Sequence, residues 1–266
     1  MGLHTQAHAR SPQHVHLTTR HASMTELTRH VAFPACTLCD LRPLCRPVQH
    51  DAEVLPSARI LRHRRTVRRG GYVFRMGEPC HSLCAICSGS TRTSVLSADG
   101  RAQVTGFQFC GDLLGMGALG AHEHRCDAVA LEPTVVCEIS FRRLEEIAER
   151  VPEMQRTLIR LMSDELTHDQ DVLLTFLGQK SASTRLAVYL STVAQRLAQR
   201  GLRPEEMCLS MSRSDIGNYL GLAKETVSRL FTRFAHDGLL RFQARRFWVT
   251  NPARLAELTD SQDLPV

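Results

Sequence analysis

The stretch SRSDIGNYLGLAKETVSRLFTRF, residues 212–234, decides the fold of the C-terminal part of this chain. Ser212-Arg213-Ser214-Asp215 opens a short helix that continues through Ile216-Gly217-Asn218-Tyr219-Leu220. Gly221 breaks it, and Leu222-Ala223 lead into a second helix from Lys224 to about Ala235. Helix, glycine-containing turn, helix is the arrangement that lays its second helix in the major groove of DNA. On that second helix Val227, Leu230, Phe231 and Phe234 form the buried face, and Glu225, Ser228, Arg229 and Arg233 lie outward. A carboxylate accepts from cytosine N4, and an arginine donates twice to guanine. Glu225, Ser228 and Arg229 stand near the helix N-terminus, where such helices meet base edges. Arg213 and Lys224 complete the candidate DNA-contacting set. The plain alternative is a helical hairpin with a solvated charged face. Wing-like strands over Leu239–Val249, carrying Arg241, Arg245 and Arg246, favour DNA.

Charge agrees with that reading. The chain has 266 residues and a net charge of +6, and residues 180–250 alone hold +7, leaving the remainder near −1. A basic module beside a neutral one faces a polyanion. Just upstream, residues 183–200 form an amphipathic helix with Leu186, Leu190, Val193 and Leu197 on one face, closed by Gly201 and Pro204. Before it, a helix opens at Pro152, and Ile159, Met162, Leu166, Asp169, Leu173 and Phe176 recur at spacings of three and four. Such a heptad stripe suits dimerisation, with Asp169 its one polar member.

From about 55 to 145 short β-type runs alternate with glycines, including Leu83–Cys87, Thr91–Leu96, Gln103–Phe109 and Thr134–Ile139. This pattern suggests a small all-β barrel or roll. The fold expected is α+β: an N-terminal β-roll sensor domain of cyclic-nucleotide-binding type, a long dimerisation helix and a C-terminal winged helix-turn-helix. The divisions expected are a disordered, His-rich tail over 1–33, a cysteine loop and β-roll over 34–150, the dimerisation helix over 151–180 and the DNA-binding domain over 181–266. Charged residues make up 23% and no apolar run approaches membrane-spanning length, so a soluble, cytoplasmic protein without a secretory signal is expected.

Ten cysteines are many for such a chain, and without a secretory signal they point to metal or cluster binding rather than a disulfide framework. Cys36-x2-Cys39-x5-Cys45 lies among Pro34, Pro43 and Pro47, in a loop where thiolates can converge; three are one short of a tetrathiolate site. The residues alone leave Cys110, Cys126 and Cys137 all eligible as the fourth. Cys80-x3-Cys84-x2-Cys87 has the spacing of a radical-SAM cluster motif, but the chain lacks the long βα barrel such enzymes use. Cys84 and Cys87 also share a strand at odd separation, which points them to opposite faces; they read as packing or surface thiols.

The segment DIGNYLGLAKETVSRLFTRF resembles the helix-turn-helix of the CRP/FNR superfamily of transcription regulators, and Glu225-x-x-Ser228-Arg229 resembles the reading triplet of its FNR branch. The resemblance extends over roughly residues 34–250. It implies a protein whose two subunits read a TTGAT-type palindrome, with half-sites ~34 Å apart. It implies a four-iron four-sulfur cluster, degraded by oxygen, held by Cys36, Cys39, Cys45 and, by carry-over, Cys137. It further implies a homodimer formed when the cluster is bound, RNA polymerase as partner, and an aspartate matching Asp169 shielded by a residue matching Leu166. Asp40, where well-known members carry a small neutral residue, departs from the pattern and bears on cluster potential or oxygen lability.

The related cyclic-nucleotide receptors place an acidic residue after the glycine of a GxxGE-like turn. Here Gly111-Asp112-Leu113-Leu114-Gly115 is followed by Met116, which cannot accept from a ribose hydroxyl, although Arg125 stands nearby; cyclic nucleotide is not expected. No nucleophile–base pairing or nucleotide loop supports an enzyme. The alternative is a regulator of the same superfamily answering another signal, such as nitric oxide, redox state or a small ligand, with structural cysteines.

Overall fold

The computed structural model describes residues 63–97, 100–149, 152–177, 181–199, 201, 203, 209–243 and 246–260. Cys36, Cys39, Cys45, Asp40, Arg245 and the tail over 1–33 lie outside the described residues. Eight strands form the N-terminal part: β1 (His63–Val67), β2 (Tyr72–Phe74), β3 (Ser82–Ser88), β4 (Ser90–Leu96), β5 (Ala102–Phe109), β6 (Leu113–Leu114), β7 (Asp127–Ala130) and β8 (Thr134–Ser140). They pair antiparallel into two sheets, ordered β1-β8-β3-β6 and β2-β7-β4-β5.

Side chains alternate across these strands, so the first sheet has two buried faces. Its inner face contributes Val67, Cys84, Ile86, Leu114 and Val136 to the core of the roll, with Val73, Phe74, Ala128 and Ala130 from the second sheet. Its outer face carries Leu83, Ala85, Cys137 and Ile139. Two helices cover that outer face: α1 (Phe141–Ala148), through Leu144, and α2 (Pro152–Leu177), through Leu158 and Leu161. The helix α2 opens at Pro152, where the ring costs no internal hydrogen bond.

Beside the face that Leu158 and Leu161 bury, α2 leaves Ile159, Met162, Leu166 and Leu173 between 52% and 67% exposed, with Leu174 at 65% and Asp169 also exposed. Four apolar members of the heptad stripe therefore stand in a row uncovered by the other described residues. Phe176 lies on α2 as well, its side chain outside the described residues.

The C-terminal part consists of α3 (Ala182–Gln199), α4 (Arg213–Leu220), α5 (Lys224–His236), a wing of β9 (Leu240–Gln243) and β10 (Arg246–Val249), and α6 (Pro252–Asp260). The apolar face read on α3 is buried: Leu186, Leu190, Val193 and Leu197. Their core also takes in Val104, Phe107 and Phe109 of β5. The rings of Phe107, Tyr189 and Tyr219 meet with centroids 5.2–5.8 Å apart.

Polar contacts reinforce this junction. Val104 N donates to Asn218 Oδ1 at 2.5 Å, Asn218 Nδ2 donates to the Ala102 carbonyl, and Gln103 Nε2 donates to the Asn218 carbonyl. Arg92 pairs with Asp215 at 3.6 Å. Deeper in, Arg196 donates to Asp112 at 2.7 Å, and the same carboxylate accepts from the Phe109 amide. Asp112 is only 3% exposed, so its charge relies on these partners. Removing one partner of a buried pair costs about 3–5 kcal/mol, and partial exposure of Arg196 reduces this to roughly 2–3. Arg196→Met should lower the urea midpoint accordingly, checked by circular dichroism; an unchanged midpoint would show that Asp112 finds another partner.

Candidate nucleic-acid interface and sensor site

The helix-turn-helix is built from local signals. Ser212 caps α4, its Oγ accepting from the Asp215 amide at 3.0 Å. Gly221 ends α4 at φ 63°, a left-handed conformation that glycine adopts without a Cβ penalty. The turn then closes as Leu222 N donates to the Gly217 carbonyl at 2.8 Å. Gly217 is required for a different reason: a Cβ there would stand 2.7 Å from the Leu222 carbonyl oxygen. Backbone approach at this point sets how α4 meets α5.

On α5, Val227, Phe231 and Phe234 are buried and Leu230 is half-buried against the same core. This anchoring turns Lys224, Glu225 and Arg229 to solvent, with Ser228 and Arg233 half-buried beside them. Ala223 supplies no side-chain cap, leaving the first amides of α5 available to phosphate. Arg213 does not project freely: its guanidinium lies over Phe231 at 5.4 Å and Phe242 at 5.2 Å. Arg233 lies 3.9 Å from Asp237, and Arg241 stacks on Trp248 in the wing. These cations are oriented by packing, which lowers the entropy lost when they bind an anion.

The sensor candidates divide by sheet face. Cys137 is 2% exposed on the outer face of β8, under α1 and α2. Cys84 and Cys87 point to opposite faces, as the odd separation implies: Cys84 lies in the roll core and Cys87 beside Cys137. Burial pushes the Cys84 thiol up to about 12, which makes it inert. The Cys137 thiol donates to Cys87 and, with Arg64 adding positive charge, brings Cys87 down to about 7. Arg64 sits opposite Cys137 in the β1–β8 register. The contact between Cys87 and Cys137 escapes a reading of spacing, because Cys87 occupies an irregularity between Ile86 and Ser88.

Among the described residues no group of three His, Cys, Asp or Glu side chains is placed to hold a metal ion. A cluster ligand is a soft donor shielded from water, and the Cys137 thiol is one, buried under α1 and α2. Separately, a cavity of about 1090 Å³ lies between the roll, α2 and α3, bordered by Gly115, Met116, Arg125, Arg160 and Arg196. Asp112 at its edge is already occupied by Arg196 and the Phe109 amide, and Arg125 is exposed.

Two family models match this chain: a cyclic nucleotide-binding domain over residues 64–151 and a Crp-like helix-turn-helix domain over residues 184–258. The transcriptional activator protein anr of Pseudomonas aeruginosa is 38% identical over 242 residues, which is 90% of this chain and 99% of that protein. The fumarate and nitrate reduction regulatory protein of Escherichia coli K12 is 38% identical over 226 residues, 84% of this chain and 89% of that protein. Among solved structures, FixK2 of Bradyrhizobium japonicum is 32% identical with TM-score 0.65, covering 75% of this chain and 98% of that one. A CRP family transcriptional regulator from Thermus thermophilus, 20% identical with TM-score 0.58, shares the fold, covering 74% of this chain and 97% of that one.

The helix-turn-helix geometry makes a sharp prediction. Gly217→Ala should cost about 1–3 kcal/mol through the clash with Leu222. It should also abolish operator binding at temperatures where circular dichroism still shows a folded chain. Wild-type affinity in that variant would mean the turn can widen freely.

Proposed function

Because this chain belongs to the FNR type of the CRP/FNR family of transcription regulators, we propose that it senses oxygen and controls anaerobic or microaerobic gene expression by binding TTGAT-type palindromes as a dimer. It acts in the cytoplasm as a regulator rather than an enzyme, with RNA polymerase as the partner whose initiation it alters. Glu225, Ser228 and Arg229 read base edges, and Arg213, Lys224 and Arg233 hold phosphates. Cys36, Cys39, Cys45 and Cys137 hold a four-iron four-sulfur cluster, which supplies the oxygen-labile group.

One observation carries this reading. Cys137 lies on the outer face of β8 against the core that Leu158 and Leu161 of α2 complete, and an adjoining face of the same helix bears the exposed stripe. Tying the 36–45 segment to Cys137 thus acts on the surface that seats the dimerisation helix. Exposed Leu and Ile drive two copies of α2 together, and Asp169 opposes them, since two facing carboxylates leaving water repel. Dimerisation then depends on the added term from the ordered sensor.

A second reading, response to a small ligand with the cysteines structural, has the cavity beside α2 in its favour. Iron and sulfide analysis with a visible spectrum, on protein purified without oxygen, separates the two. Roughly four iron and four sulfide per chain, bleached in air with loss of the dimer, are expected. A colourless, iron-free chain that still binds the palindrome would overturn the cluster and select the second reading. Asp169→Ala should tighten the aerobic dimer about tenfold or more, roughly 1.4 kcal/mol. Sedimentation in air checks this, and a monomeric variant would refute the role of Asp169.

A further inference from the structure

We infer that Cys87 and Cys137 form a redox pair on the outer face of the first sheet, in which Cys87 is oxidised by a hydroperoxide and Cys137 closes the disulfide. The two strands are adjacent: β8 pairs with β3, placing Cys137 opposite Ala85. Cys87 lies two residues further along β3, at a shift in register between Ile86 and Ser88. Regular pairing would hold Cys87 diagonal to Cys137, but an extra residue in a strand bends it and re-aims its side chain. Cys87 packs against the cluster that contains Cys137, and the two thiols are hydrogen-bonded.

Accessibility assigns the order of events. Cys87 is half-buried, within reach of a small oxidant, whereas Cys137 is buried beneath the helices. Hydrogen peroxide gives up one oxygen to the Cys87 sulfur, forming the sulfenic acid and releasing water. The Cys137 sulfur then attacks that sulfur; the S–O bond breaks, the S–S bond forms, and the hydroxyl leaves as a second water with the thiol proton. Two electrons pass from the thiols to peroxide, and no other reactant is needed.

The pair stands on strand geometry alone, while its consequence rests on the proposed role of Cys137. An oxidised pair removes Cys137 from the ligand set, so a chain that has met peroxide cannot reload its cluster until a thiol reduces it.

The test compares iron-loaded and iron-free full-length protein after equimolar hydrogen peroxide. Free thiols are alkylated, and the chain is digested with trypsin without reductant. Cys87 falls in peptide 76–92 and Cys137 in peptide 126–142, so fragmentation must place the link, because Cys80, Cys84 and Cys126 share those peptides. The expected result is a Cys87–Cys137 link in iron-free protein that reductant removes, with complete loss in Cys87→Ser. Loaded protein should resist it. A link in loaded protein that has kept its iron would keep the pair and overturn Cys137 as a ligand. Free Cys87 and Cys137 in the iron-free sample, or Cys137 joined instead to Cys110 or a cysteine of the 36–45 loop, would overturn the pair.

Discussion

Alternation of side chains along β8 is the constraint on which the proposed sensor depends. Val136 faces the roll core while Cys137, one residue on, faces the helices. A shift by one residue would bury the thiol inside the roll, where Cys84 lies with its thiol pushed far up by burial. Pairing on both sides of β8, with β1 and β3, holds the register against that shift. The position of a single donor atom therefore follows from backbone pairing along two whole strands.

The second dependence is the junction between β5 and the DNA-binding part. Phe107 is shared between the roll and the aromatic cluster of Tyr189 and Tyr219, and Asn218 bonds to two backbone groups around β5. The buried Asp112–Arg196 pair ties α3 to the turn before β6. Such a seam transmits displacement because its apolar and polar parts cannot be broken separately: removing Asn218 from β5 leaves the Val104 amide in need of a partner. The seam thus ties β5 and α3 to α4, the helix that leads into α5.

Much of this was legible in the residues. The helix-turn-helix followed from a break at Gly221 between two segments of helical period, and β3, β4, β5 and β8 from short runs between glycines. Exposure of Ile159, Met162, Leu166 and Leu173 agrees with the heptad reading, whereas Leu174 was not singled out. The short helix α1 and the strands β1, β2, β6 and β7 escaped because two to eight residues carry too little periodicity to separate from loop. The Cys87–Cys137 contact escaped because a register shift leaves no composition signal. The seam at Asn218 escaped because long-range polar contacts have no sequence period at all. Choosing Cys137 over Cys110 and Cys126 rests on family likeness; in the fold Cys137 lies under α1 and α2.

The uncovered stripe on α2 bears on sensitivity. In the proposed switch, with the stripe as a dimer seam, the species that reads DNA would contain two loaded chains, and where dimers are scarce its abundance would follow the square of the loaded concentration. Losing half of the loaded chains would leave about a quarter of the dimers. A gradual chemical loss at individual sensors would thereby be steepened into a sharper genetic response, and the number of copies per cell would become part of the threshold. Affinity along the stripe of α2, together with chemistry at the cysteines, would then set where that threshold falls.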